Sequence, residues 1–439
     1  MNLGWLRFWG WMLAYMALAL LPMAVALAGE TPAARARLKE TGAMLGFLGL
    51  GMLAAQAVAS GRQRWFARGL GQDDLLQFHR RTGLFAWALV LAHPVTMFAA
   101  DPALLSYLDP RDQVLRALSL WTVLLAASLL IATSLWRERF GLSYERWRLL
   151  HGALALCVVA LGLGHALMVD HYTQPLWKKA ALAAAVGASL WLVLETRLAR
   201  PWRLRRRPWR VVAAEPEPGD AVTLRLRPEG HDGLRFAPGQ FAWLTVGESP
   251  WRLQQHPFSI TSAAGERELR FTVKALGDFT GSLGELAPGA RAWIEGPYGV
   301  FTWVPGRSPG GAVFVAGGVG ITPFLSMLRT AAARGAREPL WLVYANRSLD
   351  EAIAREELDA LAGRLPLTVV HVLEAPPDGW TGETGHIDAA LLDRCLPEGV
   401  ARMHCYLCGP EPMADAVEPA LLARGVPAKN LYSERFDMV

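Results

Sequence analysis

His79 and His93 stand fourteen residues apart, and His151 and His165 repeat that interval. Each pair sits in a segment apolar enough to cross a bilayer. Fourteen residues make almost four helical turns, so both imidazoles of a pair leave one helix face about 21 Å apart along the axis. Two such helices running the same way would offer two His–His clamps, one toward each membrane surface. Clamps of that kind grip a haem iron from both sides, and two stacked haems would carry electrons through lipid. A lone intramembrane histidine ordinarily just bonds a neighbouring helix. Four at matched spacing are costly to bury and point to function. Gly83 and Ala86 follow His79 by one and two turns, Ala155 and Val158 follow His151, and Gly162 precedes His165. Small side chains there would leave room for a flat macrocycle.

A second constellation lies far along the chain. Gly317-Gly318-Val319-Gly320-Ile321-Thr322-Pro323 comes directly after an apolar run, Ala312–Ala316. Glycines let a backbone turn sharply and approach a pyrophosphate without side-chain hindrance. Thr322 suits the cap of the following helix and Pro323 its first position. The free N–H groups and positive dipole end of that helix would then face the phosphates. This strand–turn–helix reads as a dinucleotide site. At the end of the next strand Arg347 favours the 2′-phosphate of NADPH over the free ribose hydroxyl of NADH, with Asp350 and Glu351 slightly later.

These residues require three kinds of support. At 439 residues, with 52 % apolar residues, the chain is long enough for two or three domains. The apolar excess falls in the first 200 residues, as six spans near 8–28, 42–60, 78–100, 117–136, 148–169 and 177–196, each about the length a bilayer requires. The first span also has the outline of a signal peptide ending at Ala26-Leu27-Ala28, but its long apolar run favours a retained helix. Arginines collect in alternate connections: Arg62, Arg64, Arg68, Arg80 and Arg81, then Arg137, Arg139, Arg146 and Arg148, then Arg200, Arg203, Arg205, Arg206 and Arg207. The positive-inside rule puts both termini in the cytoplasm of a multi-pass protein of the inner (cell) membrane. That asymmetry accounts for the net charge of +5 and leaves no case for nucleic-acid binding. After Pro208 six short alternating strands (Trp209–Ala213, Ala221–Arg227, Gln240–Val246, His256–Thr261, Glu268–Lys274, Arg291–Glu295) predict an antiparallel β-barrel. From Gly311 strands alternate with helical stretches (Ala312–Ala316, Leu340–Ala345, Leu367–Leu373, His404–Leu407 and one near Leu431), which predicts an α/β domain on a parallel sheet. The expected domains are therefore 1–200, an all-α six-helix transmembrane bundle; 208–307, the barrel; and 311–439, the nucleotide domain. Of the four cysteines, Cys405 and Cys408 have C-x-x-C spacing, but no second ligand pair accompanies them and a strand carries both.

Gly317 to Pro323, Cys408-Gly409-Pro410 and His256-Pro257-Phe258-Ser259 together resemble the ferredoxin-reductase-type flavoprotein module. Joined to a six-helix, four-histidine membrane half, they make the chain similar to the ferric reductase and NADPH oxidase superfamily. The resemblance implies FAD seated by His256, Pro257, Phe258 and Ser259, with the Ser259 hydroxyl near the reactive flavin nitrogen and His256 near the pyrophosphate. Lys274, Gly277, Phe279 and Thr280 resemble a second flavin-phosphate segment. Gly317, Gly318, Gly320, Thr322, Arg347, Cys408, Gly409 and Pro410 would hold the nicotinamide nucleotide, with Cys408 beside the nicotinamide. Glu434 and Phe436 resemble a tail whose aromatic ring covers the flavin, although Asp437, Met438 and Val439 follow it here. The expected catalytic set is Ser259, Cys408, Glu434 and Phe436. Two b-type haems would be clamped by His79 with His151 and by His93 with His165. Arg80 and Arg81 would lie near inner-haem propionates or serve as positive-inside flanks. Phe85 and Trp87 would lie between the haem levels, or pack in the core or against lipid.

The expected activity moves electrons from cytoplasmic NADPH, or NADH, through FAD and both haems to an external acceptor, oxygen or a ferric chelate. Membrane lipid is the surrounding partner, and no obligatory protein partner is evident. Two alternatives stay open on the residues: a membrane relay exchanging electrons with quinone or another protein, and a haemless anchor for a soluble-type diaphorase.

Overall fold

A computed structural model of the chain describes residues 3–59, 72–306 and 310–435. It divides into two compact units, Met1–Arg200 and Pro201–Val439. In the first, six helices are long and apolar enough to cross a membrane. They are α1 (Leu3–Leu27), α2 (Arg37–Ala59), α3 (Gln72–Ala100), α4 (Val114–Leu135), α5 (Tyr144–Met168) and α6 (Leu176–Leu194). α6 runs through a π-helical turn, Glu195–Ala199, into the short α7 (Arg200–Leu204).

α2 is the most enclosed of the six. It packs chiefly on α3 and α1, whereas α5 packs chiefly on α4. Glycines allow this: a Cβ at Gly51 would collide with the Ala19 carbonyl of α1 and with Pro22. Close backbone approach of this kind is how apolar helices associate where burial from water supplies no driving force. Near the start of α6 Lys178, 1 % exposed, donates to the carbonyls of Ala26 and Glu30 and ties that helix to the end of α1.

The second unit holds two six-stranded sheets. The first comprises β1 (Trp209–Glu217), β2 (Ala221–Pro228), β3 (Phe241–Val246), β4 (His256–Ser259), β5 (Leu269–Lys274) and β6 (Arg291–Tyr298). It is antiparallel throughout, in the order β4-β3-β6-β1-β2-β5. A bridge between Ile260 and Phe271 draws its two edges together and curls it into a half-barrel around Leu224, Leu244, Leu269 and Phe271. The one-turn helix α8 (Asp278–Ser282) follows β5.

The remaining elements are β7 (Ala312–Gly317), α9 (Thr322–Ala333), β8 (Leu340–Asn346), α10 (Arg355–Ala362), β9 (Leu367–Leu373), β10 (Glu383–Thr384), α11 (Ala389–Cys395), β11 (His404–Gly409), α12 (Glu411–Ala423) and β12 (Leu431–Arg435). The strands form a parallel sheet in the order β10-β9-β8-β7-β11-β12. One face buries Phe314, Phe324 and Cys408, the other Val313, Cys405 and Leu421. Such burial on both faces is what near-continuous apolar strands require. Every span and strand expected from the pattern is present; β10 is added, and most ends shift by a few residues.

One expectation about local chemistry changes. Thr322 does not cap α9: it is the first residue of the helix, after a 3-10 turn over Gly318–Ile321, and its hydroxyl donates to the Val319 carbonyl at 2.9 Å. Cys405 and Cys408 leave opposite faces of β11, as three-residue spacing on a strand dictates, so the pair cannot chelate one ion. Burial pushes the Cys405 thiol up to about 12.

Candidate redox sites

The membrane unit brings the four histidines together in two pairs. The ring centres of His79 and His151 are 6.2 Å apart, and those of His93 and His165 are also 6.2 Å apart. This is the pairing that parallel helices with equal spacing produce. Two metal–nitrogen bonds of about 2 Å, each extended by about 1 Å to its ring centre, span about 6 Å. The pairs therefore fit one iron each. Space for a macrocycle is present beside three of the four: a Cβ at Gly83, Gly152 or Gly164 would meet nothing within 4 Å.

Hydrogen bonds set the free nitrogen. His93 Nδ1 is 2.7 Å from the Gly42 carbonyl of α2, which only accepts, so Nδ1 carries the proton and Nε2 is left with a free lone pair. Ser134 of α4 donates to the Leu130 carbonyl at 2.6 Å, leaving its oxygen to accept from His151 Nδ1 at 3.1 Å. A Cβ at Gly46 would lie 2.8 Å from His93 Nδ1, so glycine is needed for the ring to reach Gly42. Gly42, Gly46 and Ser134 were absent from the expected site. A polar residue in an apolar span was the available signal for Ser134.

The remaining expectations for this unit divide. Ala86 is buried toward α1 and α2 and Val158 toward α4, while a Cβ at Gly162 would meet Leu50 at 3.4 Å. These three residues face packing neighbours, and Gly152 and Gly164, overlooked in the sequence, supply the open faces instead. Arg80 and Arg81 are exposed. Phe85 is 56 % exposed on the helix exterior, and Trp87 packs among Ala126, Ala127 and Val158. Arg62, Arg64 and Arg68 lie outside the described residues.

In the second unit, His256, Pro257, Phe258 and Ser259 constitute β4, at the sheet edge. The His256 ring stacks on Phe279 with centres 4.2 Å apart and planes 22° from parallel, and Phe258 lies parallel to Phe279 within 6°. Thr280 Oγ1 accepts from the amides of Leu276 and Gly277, folding the tight turn that presents Phe279. Lys274 points elsewhere: it lines a cleft at the nucleotide sheet and faces Glu351 at 3.8 Å.

That cleft, about 630 Å³, opens at the carboxyl ends of the parallel strands. Gly317 ends β7, Gly409 ends β11, and the two strands are neighbours from which the sheet extends in opposite directions. Open α/β sheets bind nucleotides at such a switch point. Gly318 has φ +51 and no neighbour for a Cβ within 4 Å, so its backbone is bare to a ligand. Arg347, Glu351, Glu374 and His386 line the outer end, and His386 faces Glu374 at 3.3 Å. Glu374 and His386 carried no sequence signal, because they follow a strand whose end only the fold brings to the cleft. Cys408 pairs across the sheet with Ala316 on one side and Glu434 on the other. Arg435 bonds Asp415 and Glu418 of α12 and anchors the last strand. Phe436 lies outside the described residues.

The half-barrel and the nucleotide sheet are clamped by α9. Ser326 donates to the Ser262 carbonyl at 2.8 Å, Thr330 accepts from the Ala264 amide at 2.9 Å, and Arg329 donates to the Thr261 carbonyl at 2.5 Å. Arg329 also grips Glu357 of α10 through two bonds of 2.7 and 2.6 Å.

Three protein families match successive stretches of the chain. Residues 45–162 match the ferric reductase like transmembrane component, 208–302 an FAD-binding domain and 314–419 an oxidoreductase NAD-binding domain. The chain belongs to the ferric reductase and NADPH oxidase superfamily. Among curated relatives, ferredoxin–NADP reductase B of Sorangium cellulosum is 34 % identical over 243 residues, covering 50 % of this chain and 98 % of that one. The toluate 1,2-dioxygenase electron transfer component of Pseudomonas putida is 30 % identical over 218 residues, 49 % of this chain and 63 % of the relative. Of solved structures, the flavohem-like FAD/NAD binding domain of nitric oxide dioxygenase from Vibrio cholerae is 25 % identical with a TM-score of 0.47, covering 52 % of this chain and 98 % of that one. As a member of the superfamily, the chain is a multi-pass membrane oxidoreductase with a flavin and nicotinamide-nucleotide reductase module.

Proposed function

We propose that the protein passes electrons from cytoplasmic NADPH through FAD and two bis-histidine b-type haems to an acceptor outside the cell membrane, oxygen or a ferric chelate. The observation that carries this reading is the pair of 6.2 Å His–His separations on two helices with equal ligand spacing. Bound FAD would accept a hydride and release electrons singly, which haem iron would take up one at a time.

The chain's own residues divide the work. Domains at 1–200, 208–307 and 311–439 hold the haems, the flavin and the nucleotide. Gly317, Gly318 and Gly320 bring bare backbone to the pyrophosphate, with Gly409 and Pro410 walling the nicotinamide end beside Cys408 and Glu434. Arg347 meets the 2′-phosphate. His256, Pro257, Phe258 and Ser259, with Gly277, Phe279 and Thr280, would seat the flavin. Lys274 lines the nucleotide cleft, where its charge would meet the phosphates of the nicotinamide nucleotide. His79 with His151 and His93 with His165 would hold one haem iron each, and haems held by two protein ligands would supply outer-sphere electron transfer to an external acceptor. The arginine-rich connections put both termini in the cytoplasm.

Haem and flavin content of the purified full chain tests the proposal. Two low-spin, six-coordinate b haems and one FAD per chain are expected. A single haem, a five-coordinate high-spin iron, or a haemless preparation that still oxidises NADPH would overturn it.

A further inference from the structure

A second pocket, of about 360 Å³, shares no residue with the nucleotide cleft or with β4. Its volume is that of a small-ligand site. Arg205 enters it directly after α7, Ser249, Pro250 and Trp251 from the β3–β4 loop, and Arg291 and Trp293 from β6. The loop is a built turn. The Ser249 hydroxyl accepts from the Trp251 amide at 3.3 Å, and the Arg252 guanidinium donates to the Val246 carbonyl at 3.1 Å. Gly247 has φ +124, and a Cβ there would collide with that guanidinium. Pro250 is buried, while Trp251 and Leu253 stand exposed.

Charge in the pocket does not cancel. Glu229 is held by Arg210 through two bonds of 2.9 and 3.1 Å, whereas Arg291 meets Glu248 only at 3.6 Å, with both side chains well exposed. An exposed ion pair of that kind contributes little. Arg205, Arg210 and Arg291 set against Glu229 and Glu248 leave one positive charge, three minus two. A phosphodiester carries one negative charge, and guanidinium forks match its oxygens.

Position selects the source of that phosphodiester. The apolar span Leu176–Leu204 ends at the residue before Arg205, so the pocket begins one residue beyond a membrane-crossing helix. Trp202 on α7 and Trp251 on the loop are exposed, and tryptophan is a side chain that settles at headgroup level. Arg206 lies 4.8 Å over the Trp202 ring and adds to the cations there. We propose that this pocket takes the headgroup of an anionic phospholipid, its phosphodiester gripped by Arg205 and Arg291, with Trp251 seated among the headgroups beside it. An occupied pocket ties the β3–β4 loop, which runs on into β4, to the membrane surface.

Dioctanoyl phosphatidylglycerol titrated into the detergent-solubilised full-length protein, with amide hydrogen exchange of residues 248–252 as the readout, tests it. The lipid should slow exchange there saturably, and inorganic phosphate at the same concentration should not. Arg291→Ala should weaken lipid binding about fivefold, equal to about 1 kcal/mol, with unchanged FAD content as the check on folding. Arg206→Ala removes an equal charge from outside the pocket and should shift the affinity by less than about twofold. Glu248→Gln, which removes the carboxylate facing Arg291, should tighten binding. No protection by the lipid, equal protection by inorganic phosphate, equal losses in Arg206→Ala and Arg291→Ala, or weaker binding in Glu248→Gln would overturn the assignment.

Discussion

At the residue scale, chemistry was readable where a residue type is rare for its surroundings. Four histidines in apolar helices announced themselves by spacing, and the glycine run after β7 by context. Their partners did not, because Gly42, Gly46 and Ser134 acquire a role only when α2 and α4 are folded against α3 and α5. In the proposed function nucleotide choice would rest on Arg347, which shares its cleft with Glu351 and Glu374. Arg347→Ala should lower kcat/KM for NADPH relative to NADH by about tenfold, roughly 1.4 kcal/mol, the size of one charge-assisted bond. Steady-state kinetics with both nucleotides measures this, and an unchanged ratio would make Arg347 a solvated surface residue.

At the element scale, periodicity fixed which strands exist and local geometry fixed their ends. The 3-10 turn before α9 was illegible, since glycines that permit a sharp turn do not say which turn forms; that is why Thr322 lands inside the helix. The clamp between α9 and the segment Thr261–Ala264 was equally hidden, because serines, threonines and a single arginine on an amphipathic helix look like its solvated face. Burial pushes the Glu357 carboxyl upward, but its bonds to Arg329 outweigh that and hold it below the usual range. A depressed carboxyl contributes stability above its unfolded value, near 4.3, that is lost as pH falls through the folded value. Arg329→Ala should cost about 1–3 kcal/mol, discounted because Glu357 is partly solvated. Thermal melts should show a drop of a few degrees at pH 7, shrinking below about pH 4 as the native protein loses the same bond. A pH-independent difference would assign the loss to the Arg329–Thr261 bond and to packing rather than to the Glu357 pair.

At the scale of the whole molecule, two units with separate cores share one chain. Damage to one should leave the other working. His165→Leu should abolish reduction of an external ferric chelate by proteoliposomes while FAD content and NADPH oxidation with a soluble dye stay within about twofold of native. A parallel loss of both activities would mean that the units depend on each other for folding. The equal interval of fourteen residues on α3 and α5 has a consequence for how such a conductor can vary among membranes. A helix advances about 1.5 Å and turns about 100° per residue. Deleting one residue between the ligands would swing one clamp a quarter-turn off its face, and a matching deletion on the other helix would not restore it. Length can change only in steps near whole turns, about 5.4 Å, made on both helices at once. A thinner or thicker bilayer is therefore met by tilt, and the distance between the two histidine pairs is a fixed gauge.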